Sequence, residues 1–398
     1  MLCANIVVGG IYILPEVVIM SSNGSGNATK FTVGGSFLMA AQKSALEATA
    51  SAIATRGKGI TACDESPSTI GARFEKVGIE NTAENRRKYR QMLFETPGNE
   101  KYLSAAILDP ETLYQTSDNS GKAFPEVLTE RNIVPGVKPH LKVYTLPGTG
   151  GDTVMQGLDS LAVRCKEYYK AGARFAKWRS PLVIQSDTGR PTDLAIRSNM
   201  QDLARYALIC QSEGLVPIVE PDVSLNGDHT LEIAVDVNIR VQSTLFKAMI
   251  DHGVFMAGSI LKSNIVNPGR DCPESYSVEE IAQANIFVFE QCFPVAMKGA
   301  NYLSGGQTLK DATARLSAIN RANMNGPWNL SFSFSQAFQL PLLDLCKETG
   351  ELQIESMGKL YIEELEIASA AAKGEHEWKI GEGDHRGTAG PSSKKQKI

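Results

Sequence analysis

The sequence predicts an α/β protein of the (β/α)8 barrel class, the TIM-barrel fold, from three observations. Eight short β-branched or apolar runs recur along the chain, and a longer stretch follows each of them. Apolar residues in the longer stretches fall at helical spacing, with glycine after the last turn. No Gly-rich dinucleotide turn follows an early strand, which disfavours the alternative, a doubly wound open sheet. Eight strand-then-helix units in one chain favour a closed barrel.

The strands and helices can be placed in chain order. The predicted strands are residues 59–64, 102–108, 132–138, 173–179, 215–220, 254–262, 295–306 and 329–334. Helical spacing is clearest in "TAENRRKYRQMLFE", "GLDSLAVRCKEYYKAG" and "DLAIRSNMQDLARYALICQSEG". The stretch "GELQIESMGKLYIEELEIASAAAKGE" predicts one terminal helix. We therefore expect a single barrel domain over residues 31–372, including that helix.

The two ends of the chain differ from this domain. Residues 1–30 contain no Lys or Arg before Lys30, so the basic region of a secretory signal is missing. They are also too interrupted by Gly, Pro and Glu to span a bilayer. We expect residues 1–30 to be an extension that is disordered or serves targeting, and polar, Gly-rich residues 373–398 to be a flexible tail. The expected location is the cytoplasm, with the plastid as the alternative.

Composition excludes several classes of protein. The formal charge of −4 and the pI near 5.9 leave no basic surface for nucleic acid or anionic membranes. The 7 cysteines are odd in number and never spaced C-x-x-C, as expected for reduced thiols inside a cell. The 5 histidines show neither H-x-H nor H-E-x-x-H spacing. We therefore expect no metal, no cofactor, no nucleic acid and no membrane partner.

Charged or hydroxyl residues stand at the ends of most predicted strands. In chain order they are Asp64, Lys138, Lys177 with Arg179, Glu220, Lys262, Ser304 with Gly305 and Gly306, and Ser333. One charged strand end is ordinarily a solvated edge. In a barrel, however, the carboxyl ends of all strands meet at one mouth, which is where the active sites of this fold lie. The pattern therefore predicts a site rich in ionisable groups.

Lys262 ends the apolar run "GVFMAGSILK" and has three possible roles. It could reach water at a strand end, form a structural ion pair, or act as a nucleophile with a lowered pKa. Lys177 and Arg179 lie on one face of a strand, and two adjacent cations would lower the pKa of a lysine near them. The alternative for "KWR" is a surface ion pair. Asp64 and Glu220 supply one carboxylate for each proton transfer that imine chemistry needs.

The stretch "LSGGQ" offers backbone N–H groups at a strand-to-helix turn after the seventh strand, where barrels often bind phosphate. Many Gly-Gly turns are only tight turns. An amine, carboxylates, cations and an anion-binding turn together predict carbon–carbon cleavage of a phosphorylated ketose. The lysine iminium would then serve as the electron sink, and no metal would be needed.

The motifs resemble those of the class I fructose-bisphosphate aldolases, from about residue 40 to residue 345. They are "GKGITACDES", "ENTAENRRKYRQMLF", "ETLYQ", "CKEYYKAGARFAKWR", "LARYALICQSEGLVPIVEPD", "LKSNIVNPG" and "YLSGGQ". The resemblance implies a lyase of glycolysis and gluconeogenesis, built as a homotetramer of (β/α)8 barrels. Such an enzyme splits fructose 1,6-bisphosphate into dihydroxyacetone phosphate and glyceraldehyde 3-phosphate.

The same resemblance implies roles for individual residues. Lys262 would be the Schiff-base lysine and Glu220 the acid/base for the carbinolamine. Asp64 would take the proton of the C4 hydroxyl, and Lys177 would support charge and positioning. The implied substrate contacts are Arg73, Ser66, Lys138, Arg179, Ser304, Gly305, Gly306, Ser333 and Gln336.

Some positions depart from the family pattern. Gln336 stands where a phosphate-binding arginine is usual, Ala72 replaces a lysine, His140 an aspartate and Asp222 a glutamate. The family's chain-terminal tyrosine has no counterpart, because the last tyrosine is Tyr361. These departures keep two alternatives open: a shifted sugar-phosphate specificity and a non-catalytic scaffold.

Overall fold

Eight parallel strands close into a barrel in the computed structural model, which describes residues 35–323 and 326–378. The first and last barrel strands pair, so every barrel strand has two neighbours. The closed parallel barrel confirms the predicted fold class. In chain order the strands are β1 Gly59–Cys63, β2 Leu103–Leu108, β3 Val134–Val137, β4 Val143–Thr145, β5 Thr153–Met155, β6 Phe175–Val183, β7 Val216–Ser224, β8 Ile260–Asn264, β9 Gly299–Leu303 and β10 Asn329–Phe334.

Helices cover the outside of the barrel and close one of its ends. They are α1 Ala40–Ile53, α2 Pro67–Glu75, α3 Ala83–Glu95, α4 Pro110–Leu113, α5 Phe124–Glu130, α6 Leu161–Lys170, α7 Asp193–Ser212, α8 Leu231–Asp251, α9 Val278–Cys292, α10 Leu309–Ala322, α11 Gln336–Asp344 and α12 Ile354–Ala371. The predicted terminal helix corresponds to α12. Strands β4 and β5 pair with each other as an antiparallel hairpin outside the barrel.

Side-chain alternation divides the apolar residues of the barrel strands into two sets. On β6, Phe175 belongs to a cluster inside the barrel, whereas Trp178 packs with the helices outside it. On β7, Ile218 points inward and Val219 outward in the same way. Because successive side chains of a strand face opposite sides, Lys177 shares the inward face with Phe175. The amino-terminal half of the barrel interior is therefore apolar, and charged groups occupy the other half.

Helix α1 closes the apolar end of the barrel. Its buried residues Leu46, Ala50 and Ile53 belong to the interior cluster rather than to the helix layer. The carbonyl oxygen of Ile53 accepts a hydrogen bond of 2.7 Å from the hydroxyl of Ser104 on β2. Apolar contact at this end leaves the opposite mouth as the place where a substrate can enter.

Beyond α12, the described part of the chain runs along α10. The Ser317 hydroxyl donates to the carbonyl oxygen of His376 at 2.6 Å. The Trp378 indole donates to the Thr313 hydroxyl at 3.1 Å. The predicted extension, residues 1–30, and residues 379–398 of the predicted tail 373–398 lie outside the described residues, and the boundaries at 31 and 373 stay predictions. No helix within residues 35–323 and 326–378 is long and apolar enough to cross a bilayer.

Candidate active site

The residues predicted at strand ends fall into two groups. Asp64, Lys138 and Ser304 directly follow β1, β3 and β9, as predicted. Lys177 and Lys262, in contrast, are the third residues of β6 and β8, so the sequence prediction that they end their strands was wrong.

Glu220 likewise lies in the middle of β7, and the prediction that it ends its strand was also wrong. These charges can stay within strands because they face the barrel interior and neutralise one another there.

Four ionisable side chains form a continuous chain across the barrel mouth. The Lys177 ammonium lies 2.7 Å from a carboxylate oxygen of Asp64 and 3.1 Å from Glu220 Oε2. The same Glu220 oxygen lies 3.6 Å from Nζ of Lys262. All four side chains are largely buried, with between 4% and 12% of each exposed. The structure thus brings together the residues predicted to be catalytic.

Electrostatics fix the charge states of Asp64 and Lys177. Burial alone would raise the pKa of Asp64, but the ammonium groups of Lys177, Lys138 and Lys262 outweigh it and lower that pKa below the usual range. Burial would lower the pKa of Lys177, but Asp64 and Glu220 raise it above its usual value. Asp64 is therefore ionised and Lys177 protonated at neutral pH.

Lys262 is the lysine whose pKa is lowered. Burial is the largest cause, the Glu220 carboxylate opposes it, and the nearby Lys177 charge lowers the pKa further. The sequence had predicted that repulsion between cations would be the main cause and would act on both lysines. The structure corrects this, because Lys177 has two carboxylates within 3.1 Å, whereas Lys262 has one at 3.6 Å.

Arg179 is held by the next carboxylate on β7. Its guanidinium lies 2.7 Å from Asp222, which raises the pKa of Arg179, and its side chain is 45% exposed at the mouth. Its neighbour Trp178 faces the helices, as strand alternation predicts. The alternative of a surface ion pair for "KWR" therefore fits Arg179 but not Lys177.

Lys138 is fixed at the bottom of the mouth by two oxygens. Its ammonium donates to Asp109 at 2.9 Å and to the backbone carbonyl of Asp64. Lys138 thus helps to position Asp64, which pairs with Lys177. Asp109 follows β2 directly, so the rule that selected the other residues at strand ends could have found it.

Arg73, on α2, belongs to a separate polar cluster. Its guanidinium donates to Glu65 at 2.9 Å and to Gln339 at 2.6 Å. The Ser335 hydroxyl also donates to Glu65. Ser66 begins α2, and its hydroxyl accepts from the backbone N–H of Thr69 at 3.3 Å.

The turn after β9 has the backbone that an anion site requires. Gly305 and Gly306 have φ angles of +60° and +83°, in the left-handed region that glycine favours. Ser304, just before them, is buried. On β10, the Ser333 hydroxyl is buried and has no hydrogen-bond partner among the described residues. This hydroxyl is free to contact a substrate.

Sequence reasoning also missed the burial of His140. Both ring nitrogens are buried and have no hydrogen-bond partner within the described residues, and the ring meets Trp178 edge-on at 5.9 Å. Burial, followed by the charges of Lys177 and Lys138, lowers the pKa of His140 well below its usual value. Its imidazole is therefore neutral at pH 7. Sequence reasoning noted this histidine only as a departure from the family pattern.

The arrangement can perform nucleophilic and proton-transfer chemistry on a carbonyl substrate. A buried amine with a lowered pKa is a nucleophile, and an adjacent carboxylate can carry protons. Within residues 35–323 and 326–378, no three His, Cys, Asp or Glu side chains are grouped so that they could hold a metal ion.

Comparisons with known proteins agree with this geometry. A family profile described as "Fructose-bisphosphate aldolase class-I" matches residues 45–392. A fructose-bisphosphate aldolase of Echinococcus multilocularis is 49% identical over 304 residues, which are 76% of this chain and 83% of that protein. One of Dictyostelium discoideum is 45% identical over 333 residues, covering 83% and 92% of the two chains. A cytosolic fructose-bisphosphate aldolase of Arabidopsis thaliana is 47% identical over 291 residues, which are 73% of this chain and 80% of that protein.

A solved structure gives the same result for the fold. The fructose-bisphosphate aldolase of Plasmodium falciparum, solved in complex with TRAP and a small-molecule inhibitor, superimposes with a TM-score of 0.83 at 39% identity. The match covers 88% of this chain and 99% of the other. Because the profile and the relatives span most of its length, this chain belongs to the class I fructose-bisphosphate aldolase family.

Proposed function

We propose that this protein reversibly cleaves fructose 1,6-bisphosphate through a Schiff base on Lys262. The observation that carries the proposal is the buried chain of contacts from Lys262 through Glu220 and Lys177 to Asp64, with distances of 3.6, 3.1 and 2.7 Å. The products are dihydroxyacetone phosphate and glyceraldehyde 3-phosphate.

Lys262 begins the reaction. Its neutral amine attacks the C2 carbonyl, and the carbonyl oxygen becomes the hydroxyl of a carbinolamine. Glu220, 3.6 Å from the amine, carries the proton that Lys262 gives up on becoming neutral and delivers it to that hydroxyl, which leaves as water and gives an iminium. Burial supports this step because it disfavours the charged, unreactive form of the amine.

Asp64 acts in the cleavage. Its ionised carboxylate takes the proton of the C4 hydroxyl while the C3–C4 bond breaks, and the electron pair of that bond enters the iminium to give an enamine. The aldehyde product then leaves. The proton that Asp64 took is returned to C3 of the enamine, which regenerates an iminium, and water hydrolyses it to release the ketose phosphate and the free lysine. Lys177 stays protonated throughout and keeps both carboxylates in place.

The remaining predicted residues are proposed to hold the sugar and its phosphates. They are Arg73, Ser66, Lys138, Arg179, Ser304, Gly305, Gly306, Ser333 and Gln336. Supporting this, the Ser333 hydroxyl has no other hydrogen-bond partner among the described residues, and Gly305 and Gly306 have the left-handed φ angles found in anion-binding turns. We also propose that the protein is a homotetramer, on the basis of the family resemblance. We propose the cytoplasm as its location, which the names of cytosolic relatives support.

Trapping the covalent intermediate tests the proposal. Sodium borohydride added with dihydroxyacetone phosphate should fix a three-carbon phosphorylated adduct on Lys262, identified by peptide mass spectrometry. Lys262→Ala should abolish both the adduct and cleavage of fructose 1,6-bisphosphate. The matched control is Lys166→Ala, which removes an exposed lysine of α6 and should leave both unchanged. Cleavage at the wild-type rate by Lys262→Ala would refute the proposal.

A further inference from the structure

Arg270 lies at the glycine turn that follows β9. One of its guanidinium nitrogens, Nη2, is 3.4 Å from the carbonyl oxygen of Gly306. The same nitrogen is 3.1 Å from the point where a Cβ on Gly306 would stand. Arg270 thus reaches the turn from the loop after β8, and the absence of a side chain on Gly306 is what gives it room.

The backbone of Arg270 is fixed, whereas its charge is not neutralised. Its backbone N–H donates to the carbonyl oxygen of Leu225 at 2.8 Å. The backbone N–H of Gly269 donates to the carbonyl oxygen of His229 at 2.7 Å, and that of Asp271 to the carbonyl oxygen of Gly227 at 2.8 Å. The residue is exposed, and no carboxylate within residues 35–323 and 326–378 forms an ion pair with it. The contact with Gly306 is long for a hydrogen bond, so the guanidinium is free to bind a stronger acceptor.

A neutral group also lies near the turn. Oε1 of Gln336 is 3.7 Å from the same Cβ point of Gly306. An amide can donate a hydrogen bond to a phosphate but brings no charge, whereas an arginine binds phosphate through paired, charge-assisted bonds. A turn with Gln336 alone would therefore bind a dianion weakly.

We propose that Arg270 binds the substrate phosphate that sits on the Ser304–Gly306 turn and supplies the charge that Gln336 lacks. This inference rests on the proposed function. Lys262 is paired in register with Asn301 on β9, and Ser304 follows three residues later. At about 3.3 Å per residue the turn begins about 10 Å above that pair, within reach of a phosphate attached next to the keto carbon. The phosphate in question is therefore the one that dihydroxyacetone phosphate retains.

The test is a set of variants assayed for cleavage and for borohydride trapping. Arg270→Ala should raise the KM for fructose 1,6-bisphosphate about five- to thirtyfold, with kcat changed less than about threefold, because one charged contact to a phosphate is lost. The concentration of dihydroxyacetone phosphate that gives half-maximal trapping on Lys262 should rise by the same factor. For dihydroxyacetone, which has no phosphate, it should not change.

Rescue variants separate phosphate binding from a structural role. Gln336→Arg in the Arg270→Ala background should restore most of the affinity, because it returns a guanidinium to the neighbourhood of Gly306. Arg205→Ala is the matched control, since it removes an exposed arginine of α7 and should leave KM unchanged. An unchanged KM in Arg270→Ala with normal trapping on Lys262 would overturn this inference alone. Absence of trapping in the wild-type protein would instead overturn the proposed function.

Discussion

Lys177 and Asp64 form a buried ion pair, with the ammonium 2.7 Å from a carboxylate oxygen. The same ammonium is 3.1 Å from Glu220, so one positive charge contacts two carboxylates at the barrel mouth. Because the Lys177 charge lowers the pKa of Asp64, Lys177 sets the protonation state of the group proposed to take the C4 hydroxyl proton.

Replacing Lys177 with methionine should therefore change both rate and pH dependence. We expect kcat for fructose 1,6-bisphosphate cleavage to fall about 10²- to 10³-fold. Since Lys177 lowers the pKa of Asp64, its removal raises that pKa, and the acid limb of kcat/KM should move to higher pH. The measurement is a pH–rate profile, with Lys166→Met as control. An acid limb at its wild-type position would show that Asp64 does not depend on Lys177.

Lys262→Met should be more stable than the wild-type protein at pH 7. The folded-state pKa of Lys262 lies below its ordinary value of 10.5, mainly through burial. Between those two values the unfolded chain binds more protons, so wild-type stability increases with pH. Methionine does not titrate, so the variant lacks this dependence. The Tm difference between Lys262→Met and the wild-type protein should therefore shrink as the pH approaches 10.5. Glu220 keeps Lys177 as a partner at 3.1 Å in the variant.

The check is calorimetry at several pH values. Lys262→Arg serves as the comparison, since a guanidinium stays protonated in the buried site and should lower Tm. A Lys262→Met protein less stable than wild type at pH 7 would mean that the amine stabilises the fold rather than costing stability.

Arg90 should link fold stability to catalysis. It is fully buried on α3 and donates to the backbone carbonyl of Glu65 and to the Thr112 hydroxyl, at 2.7 Å for the latter. Arg90→Met leaves both acceptors without this donor and should lower the free energy of unfolding by about 2–4 kcal/mol. Because Glu65 follows Asp64 directly, kcat should fall as well.

Urea unfolding and steady-state kinetics test this prediction. The matched control is Lys88→Met, an exposed position of the same helix, whose ammonium lies 3.5 Å from Glu84, a residue that is 53% exposed. Its loss should cost less than about 1 kcal/mol and leave kcat unchanged. Equal effects of the two variants would contradict the role given to Arg90.

The sequence predicted the barrel because its signals are local. Strand and helix periodicity, with glycine at helix ends, depends on neighbouring residues, and each of the eight predicted strands overlaps an observed one. The strand ends were less accurate, because a lysine in a run such as "SILKSN" looks like the end of a buried strand. In the fold, Lys262 lies near Glu220, and β8 continues to Asn264 by pairing with β9.

Contacts within the site could be predicted only in part. Because the carboxyl ends of barrel strands meet at one mouth, the sequence predicted that Asp64, Lys177, Glu220 and Lys262 converge, and the structure brings them together. The cause of the lowered lysine pKa could not be predicted, since burial depends on packing across the whole barrel. The place of Arg270 beside Gly306 was missed for a similar reason: these residues are 36 positions apart and meet only through adjacent loops.

Ile53→Ala should destabilise the barrel without affecting the site. Ile53 on α1 is fully buried inside the apolar end of the barrel. Truncation to alanine leaves a cavity there and should lower the free energy of unfolding by about 2–4 kcal/mol. KM and kcat should stay within about twofold, since the charged groups lie at the other end. Ser51→Ala, an exposed position of the same helix, is the control. A large change in KM would show that α1 also shapes the mouth.

His140→Asn should flatten the acid dependence of stability. Burial, followed by the charges of Lys177 and Lys138, lowers the folded-state pKa of His140 well below 6.5. Other charges facing the ring are Asp64, which opposes the shift, and Arg179, which adds to it. As the pH falls below 6.5, the unfolded chain takes up a proton that the folded ring does not, so the wild-type protein loses stability. Asparagine keeps a polar side chain but cannot titrate.

Thermal unfolding between pH 5 and pH 8 distinguishes the two proteins. The fall in Tm below pH 6.5 should be smaller in His140→Asn, and the NMR signal of the His140 ring should not titrate near its ordinary pKa of 6.5 in the wild-type protein. His252→Asn is the matched control, because that ring lies at the C-terminal end of α8 and hydrogen-bonds the backbone carbonyl oxygen of Ala248 at 2.8 Å. A wild-type His140 ring that titrates near 6.5 would mean that water reaches its nitrogens. That result would contradict the assignment of a neutral imidazole to His140.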